Sequence, residues 1–513
     1  MTANSRLDPS TPVIVGVGQA AERIDDRYYR GMSSVELATA AARAALDDCD
    51  ADVVAVARAI DTIAGVRQFE ISGPMPAPLG KSNNYPRSVA RRIDADPARA
   101  VLEVVGGQGP QHLVTEFAAE IAAGRCDVAL IIGSDAVSTE RYFAGSDNKP
   151  DFSETVDGQL EDRGFGYDGI FNKYTISHGL TGAPVQYGLL ENARRARLRL
   201  DPSEYRRQMG ELFAPFTKVA ADNPFSASPA VRSVEELITV SADNRMICDP
   251  YPRLLLARDQ VNQGAATLLM SVQAAQRLSV PQDNWVYLRG HADMTEQPLL
   301  DREDLGRSPA AVMATREALA VAGIGLDDVA TFDLYSCFPV PVFNICDGLG
   351  LSTTDPRGLT LTGGLPYFGG PGNNYSMHAI AETVHEMRSR RGEFGLVGAN
   401  GGIMSKYSVG VYSTQPADWL PDNSSALREE VAALPAVPTT EEADGFATIE
   451  TYSVRYDWPV RTGIVVGHLD DGGSRFLATT TDDELVALLS DGDPLGVEIK
   501  VTSSEHGNRA ILA

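Results

Sequence analysis

Three stretches of this chain place reactive or backbone-exposing residues at spacings that could support chemistry. The first is Val104-Val-Gly-Gly-Gln-Gly-Pro-Gln-His112. It sits at a strand-to-helix junction. Glycines there (Gly106, Gly107, Gly109) let a ligand approach backbone N–H groups at a helix N-terminus, a good place for negative charge. A plain tight turn uses the same residues and, for this motif alone, is the better reading. The second is Asp333-Leu-Tyr-Ser-Cys-Phe-Pro-Val-Pro341. Cys337 at a Pro-bounded strand end suits an acid/base or a nucleophile; a buried small hydrophobe is the commoner fate of such a residue. The third is Gly363-Gly-Leu-Pro-Tyr-Phe-Gly-Gly-Pro-Gly-Asn-Asn-Tyr-Ser-Met-His378. Its glycine density exceeds what packing alone requires. His378 and His385 share a face of the following helix, where a satisfied histidine is the ordinary outcome. Arg194, Arg195, Arg197 and Arg199 form a fourth cluster. Guanidinium groups pair well with phosphate, and a solvated helix face explains them equally well.

The elements that must position these residues alternate. Pro12–Gly18 reads as a buried strand, and Ser33–Asp48 as an Ala-rich helix that Ser33 or Ser34 can cap. Val101–Gly107 and Asp127–Ser138 are further strands, with a helix through Leu113–Ile121 between them. A related order returns: a short strand Gly358–Gly364, a helix from Met377 to Arg390, and glycine-flanked strands in Gly392–Ser413. The two halves therefore look like copies of one unit. Residues 141–249 interrupt the alternation and read as an insertion. Pro416, Pro421, Pro435 and Pro438 mark a linker over 414–441. The expected boundaries are 1–140, 141–249, 250–413, 414–441 and 442–513. The last part has four or five short strands and one helix, which suits a small OB-like barrel.

The chain has 513 residues, enough for about three domains as a soft prior, with 43% hydrophobic and 22% charged residues. Its formal net charge of −25 opposes contact with nucleic acid or anionic lipid. Within 441–513, five Lys/Arg face fourteen Asp/Glu, so the barrel is not expected to bind nucleic acid. No run is apolar enough to span a bilayer. The five cysteines lack metal-site spacing. A reducing cytoplasm, no metal and no structural disulfides are expected.

Taken together and in order, these stretches resemble the thiolase superfamily, near its sterol-carrier-protein-type branch, over nearly all of residues 10–413. Val105–Gln111 takes the place of the family's Val-Cys-Gly-Ser-Gly-Leu-Gln. Gly133–Ser138 resembles its Gly-Gly-x-Glu-Ser-Met-Ser, and Tyr174–Thr181 its loop-domain start. Asn262–Ala266 stands for Asp-Gly-Ala-Ala. Tyr335-Ser-Cys-Phe338 matches His-Asp-Cys-Phe, Gly369–Asn373 stands for Gly-His-Pro-x-Gly, and Gly398–Gly402 lies at the Cys-x-Gly loop. The resemblance implies an α/β thiolase fold: two pseudo-repeated βαβ halves in five αβαβα layers, an inserted loop domain, and the additional C-terminal domain of a thiolase-like branch. It implies CoA or acyl-CoA as ligand, with no other cofactor.

The departures matter as much. The attacking cysteine's position is Gly106, and the activating histidine's is Gly370. The second acid/base cysteine falls at Ala399 or Asn400. Only Cys337 survives, by comparison with the sterol-carrier branch. His112 and His378 are candidate substitute bases, at spacings that carry them about two helical turns away. Gln108 raises thioester decarboxylation as an option, although it aligns two positions past the cysteine site. His178, Arg194 and Arg195 are expected to touch CoA, along with the glycine stations and Asn400. Two readings follow. One is an acetyl-CoA acetyltransferase-like enzyme of lipid metabolism, centred on Cys337. The other is a non-catalytic CoA-binding or scaffold protein that presents its C-terminal domain to the core or to a protein partner. Thiolases pair edge strands and central helices into dimers or tetramers, and an extra barrel can block or replace that pairing, so the sequence leaves both an oligomer and a monomer open.

Overall fold

The computed structural model describes residues 7–73, 76–457 and 459–513. Local chemistry sets the first elements. Ser33 caps the helix Ser34–Asp48: its hydroxyl accepts from Glu36 N–H, and the Glu36 carboxylate accepts from Ser33 N–H. This reciprocal pair satisfies two orphan donors at the helix start. Alanines 38, 41, 42 and 45 form its buried stripe, letting the helix lie close on a sheet. The approach is tight enough that a Cβ at Gly18 would fall 2.1 Å from Ala41 O.

That sheet has six strands in the order Pro12–Glu22, Asn262–Ser271, Val128–Ala136, Thr62–Gly65, Arg99–Leu102 and Glu161–Asp162. A second sheet has four, in the order Val329–Leu334, Phe394–Gly401, Lys406–Ser413 and Tyr287–Thr295. In each, the first strand of the half pairs antiparallel with its last. On its other side the last pairs antiparallel with Val128–Ala136 in the first sheet and with Phe394–Gly401 in the second. The expected pseudo-repeat is thus present in the topology. Between the sheets lie the helices Gly109–Ala122 and Tyr375–Ser389, which touch each other and both sheets. Ser34–Asp48 and Pro309–Ala322 cover the outer faces. The stack is the five-layer αβαβα thiolase arrangement.

Two expectations change. The segment Gly358–Gly364 is a loop and not a strand. The buried Asp333 carboxylate explains it. Its Oδ2 accepts from Leu361 N–H, Thr362 N–H and both Thr360 and Thr362 hydroxyls at 2.9–3.0 Å. Backbone donors spent on a side chain are lost to a ladder. The stretch 414–441 also holds structure: a helix, Ser424–Ala432, and a clasp in which His291 stacks on Trp419 at 4.1 Å and bonds Asp422 at 2.8 Å.

The strand edge at Arg99–Leu102 is covered by Glu161–Asp162 of the same chain, so this edge is not free to pair with another copy. The C-terminal barrel closes because Gly445–Asp457 pairs with both Val460–Leu469 and Glu498–Thr502. Its five strands surround their own apolar core, which includes Val454, Val465, Phe476 and Leu489. The barrel is docked on the chain itself. Gly445–Asp457 continues onto Met246–Cys248 of the insertion and packs on the helix Ala183–Leu198. Arg475, 1% exposed, pairs with Glu450 at 2.7 Å and donates to the carbonyls of Leu300, Arg302 and Glu303. Removing this guanidinium leaves three carbonyls without it and the Glu450 carboxylate with His468 at 2.9 Å as its remaining partner. Arg475→Met is expected to cost about 3 kcal/mol in urea unfolding of the full chain.

Candidate active site

The N-terminal ends of the two central helices meet. Ser376 Oγ donates to Gly107 O at 2.6 Å, and Gly106 N–H donates to Asn373 Oδ1 at 3.0 Å. Asn373 Nδ2 in turn donates to Arg67 O at 2.7 Å. Gly106 has φ +148°, a conformation that disfavours any side chain. Lys406 braces the same loop, donating from Nζ to Gly166 O at 2.7 Å and Val105 O at 3.4 Å.

The space next to Gly106 is filled from within. A Cβ at Gly106 would fall 2.1 Å from Gln108 Oε1, and one at Gly401 would fall 1.8 Å from the same oxygen. The Gln108 carboxamide therefore lies between two glycines, where the resemblance puts the attacking sulfur. Gln108 is 6% exposed, and its Oε1 has no hydrogen-bond partner among the described residues. Gly107 is equally confined: its Cβ would meet Tyr335 Oη at 2.1 Å and Asn400 O at 2.6 Å.

Cys337 joins this cluster. Asn400 Nδ2 donates to Tyr187 Oη at 2.9 Å and lies 3.9 Å from Cys337 Sγ. Tyr187 stacks on Phe338 at 4.2 Å. One turn along the same helix, Glu191 accepts from Tyr205, Tyr251 and Val340 N–H, which fixes the chain just after Cys337. Burial pushes the Cys337 thiol up to about 12, so it favours the protonated form, which is the poorer nucleophile. No histidine hydrogen-bonds to it among the described residues.

The sequence-derived residues divide. Gly106, Gly107, Cys337 and Asn400 come together. Gly370 donates its N–H to Arg258 O at 2.8 Å, and neighbouring Ala257 donates to Cys337 O at 2.8 Å. Gly370 thus lies near the cluster, and a Cβ there would have ordinary contacts. Gly109 bonds back to Gly106 O and closes the turn. The remaining residues are engaged elsewhere. His378 Nδ1 pairs with Gln19 Oε1 at 2.7 Å, and burial pulls its pKa down to about 3. His112 pairs with Asp293 at 3.2 Å; burial opposes its charge, but Asp293, Glu103 and Glu116 outweigh it and push the pKa up to about 9. His178 accepts from Asn508 N–H at 2.8 Å, joining the insertion to the barrel, and burial lowers its pKa. Arg194 is bidentate to Asp347 and lies 4.0 Å over Phe343, whereas Arg195 bonds Asp493 of the barrel at 2.9 Å. These two guanidiniums and His178 therefore hold the fold together. Glu103, His112 and Glu116 have the spacing of a metal triad, but Arg163 reaches both carboxylates at 2.7 and 2.6 Å and already supplies the cation. Tyr187 and Glu191 carried no signal in the sequence, since their partners come from distant segments.

Fold and site define a thiolase-fold protein with a closed barrel at its C-terminus. The thiolase-like protein type 1 additional C-terminal domain family matches residues 426–506. A crystal structure of a monomeric SCP2-thiolase-like protein type 1 from Mycobacterium smegmatis is 62% identical, over 99% of this chain and 100% of that one, with a TM-score of 0.86. The chain belongs to the SCP2-thiolase-like protein type 1 family. More distant structures share the fold. The Ltp2–ChsH2(DUF35) aldolase has a TM-score of 0.58 at 18% identity, over 79% of this chain and 98% of that one. The dimeric peroxisomal thiolase of Saccharomyces cerevisiae has a TM-score of 0.58 at 14% identity, over 80% and 99%. No curated protein matches the sequence.

Two predictions test the packing. Gly107→Ala is expected to cost about 2–3 kcal/mol, because neither Tyr335 nor the Asn400 backbone has room to yield; chemical denaturation reads this. His378 makes stability pH-dependent. Its folded pKa of about 3 lies below an unfolded value near 6.5. The stabilisation is thus complete above about pH 6.5 and is lost as pH falls towards 3, since only the unfolded chain takes the proton. Replacing His378 with Gln should flatten the stability profile between about pH 6 and 4 by up to ~1.4 kcal/mol per pH unit.

Proposed function

We propose that this chain is a thiolase-fold protein that binds CoA or a CoA thioester without carrying out thiolysis or Claisen condensation. One observation carries the reading: the Gln108 carboxamide fills the gap between Gly106 and Gly401. Acyl transfer by this route needs a nucleophile and an adjacent base. Gly106 and Gly370 offer neither, and Cys337 is a protonated thiol without an imidazole partner. CoA enters by family relation; the N–H groups of Gly106, Gly109 and Gly370 are spent on Asn373, Gly106 O and Arg258 O. Lipid metabolism and a cytoplasmic setting belong to the same proposal. The barrel's docking on the insertion supports a role in bracing the core, with its outer face left for a protein partner.

A second reading has a specific support. Cys337, Tyr187 and Asn400 converge in one buried site, as an acid/base group with two orienting partners would. That arrangement suits thioester decarboxylation or hydrolysis centred on Cys337.

One set of measurements separates the two. Purified protein with acetoacetyl-CoA and CoA is expected to show no thiolysis above the buffer rate, and Cys337→Ala should change nothing. The same protein should unfold at a higher temperature with CoA present, because a ligand of the native state stabilises it. Turnover of a β-ketoacyl- or malonyl-CoA that disappears in Cys337→Ala would establish the second reading instead.

A further inference from the structure

Away from the glycine cluster lies an open cavity of about 290 Å³. It is a groove between two helices, Pro309–Ala322 and Pro339–Leu349. Pro309, Val312, Met313 and Arg316 line one wall at i, i+3, i+4 and i+7, the positions that share a helix face. Asn344, Asp347 and Gly348 form the other at i, i+3 and i+4. The helices come close at Gly348, where a Cβ would fall 2.1 Å from Val312 Cγ2. Arg197, near the end of the helix Ala183–Leu198, Arg307 and Ser308 complete the lining.

The polar groups of this groove are out of balance. Four guanidiniums meet two carboxylates. Asp347 is shared by Arg194 at 2.9 Å and Arg197 at 2.6 Å, while Asp304 is shared by Arg197 at 3.6 Å and Arg307 at 2.9 Å. Arg316 forms no ion pair among the described residues and spends one donor on Gly348 O at 2.9 Å. Asn344 is 3% exposed, and among the described residues neither its amide atoms nor Arg197 Nε has a hydrogen-bond partner. A buried amide left unpaired costs about 1–3 kcal/mol unless something else pairs with it. The local excess of two positive charges stands out in a chain whose net charge is −25.

We infer that this groove is a binding site for a phosphate ester, with the phosphate held by Arg307, Arg316 and Arg197. A phosphate monoester carries nearly two negative charges at neutral pH and offers three acceptor oxygens, which matches both the charge excess and the donor excess. Guanidinium groups bind such oxygens bidentately. The apolar side of the groove, Val312 and Met313, takes the carbon part of the ester. The site is separate from the Gln108 cluster and does not depend on whether that cluster is catalytic.

The test is calorimetric titration of the full chain with pyrophosphate, CoA and dephospho-CoA, each at matched ionic strength. Saturable binding of at least one is expected. Arg307→Gln and Arg316→Gln should each weaken it tenfold or more. Both side chains are exposed, so the unliganded melting temperature should stay unchanged. A preference for CoA over dephospho-CoA would identify the coenzyme's 3′-phosphate as the group bound, whereas equal binding by pyrophosphate would identify a general phosphate site; both support the inference. No saturable heat from any of the three at millimolar concentration would overturn it, as would binding that both variants leave intact. Because the readout is binding at Arg307 and Arg316, a failure here leaves the thiolysis result untouched, and the reverse also holds.

Discussion

A single side chain, the Gln108 carboxamide, decides how the centre of this molecule is built. It occupies the volume that Gly106 and Gly401 leave empty. Protein interiors tolerate few voids larger than a water. Once the chain has no side chain at either position, something must fill the gap, and the nearest residue on the same turn does so. The cost is a buried oxygen without a partner among the described residues. The gain is a closed junction at which two helix ends, the Asn373 amide and the Ser376 hydroxyl all meet.

From that junction the rest of the architecture follows in layers. The two central helices can approach because their ends are glycine-rich and because the Asn373 and Ser376 side chains of one bond the Gly106 and Gly107 backbone of the other. The sheets pack on them, and the outer helices close the stack. Groups that look reactive in isolation are absorbed by this packing. His378 becomes a neutral core residue on Gln19, His112 an ion-pair partner of Asp293, and Arg194 an anchor for Asp347 and Phe343. A titratable residue gains a chemical role only where its partners leave it free; His112 and Arg194 are engaged by carboxylates, and His378 is bonded at Nδ1 but has no partner at Nε2 among the described residues.

How much was legible in the sequence depends on distance along the chain. The helix Ser34–Asp48 could be read because its cap, Ser33, and its partner, Glu36, are three residues apart. The barrel could be read from its short alternating strands, and the thiolase core from glycine stations that each act locally. Convergence of Gly106, Cys337 and Asn400 was legible only through the order of those stations. Gly358–Gly364 misled because its β-like residues donate to the Asp333 carboxylate, which no local pattern encodes. His178 and Arg195 were read as ligand contacts because their partners, Asn508 and Asp493, lie some 300 positions onward. Gln108 was noticed, but its backward fold across Gly106 depends on φ +148° and on Gly401, which sequence spacing does not reveal.

The strand Gly445–Asp457 belongs to two bodies at once: it closes the barrel and extends the sheet begun by Met246–Cys248 and Tyr251–Pro252. During synthesis the insertion therefore leaves the ribosome long before its last sheet neighbour exists. Folding from the N-terminus onward leaves that edge bare, and His178, Arg195 and Asp249 unmatched, until residues 445–508 have emerged. Nascent chains arrested just upstream of the barrel should consequently be the form of this protein most dependent on chaperones.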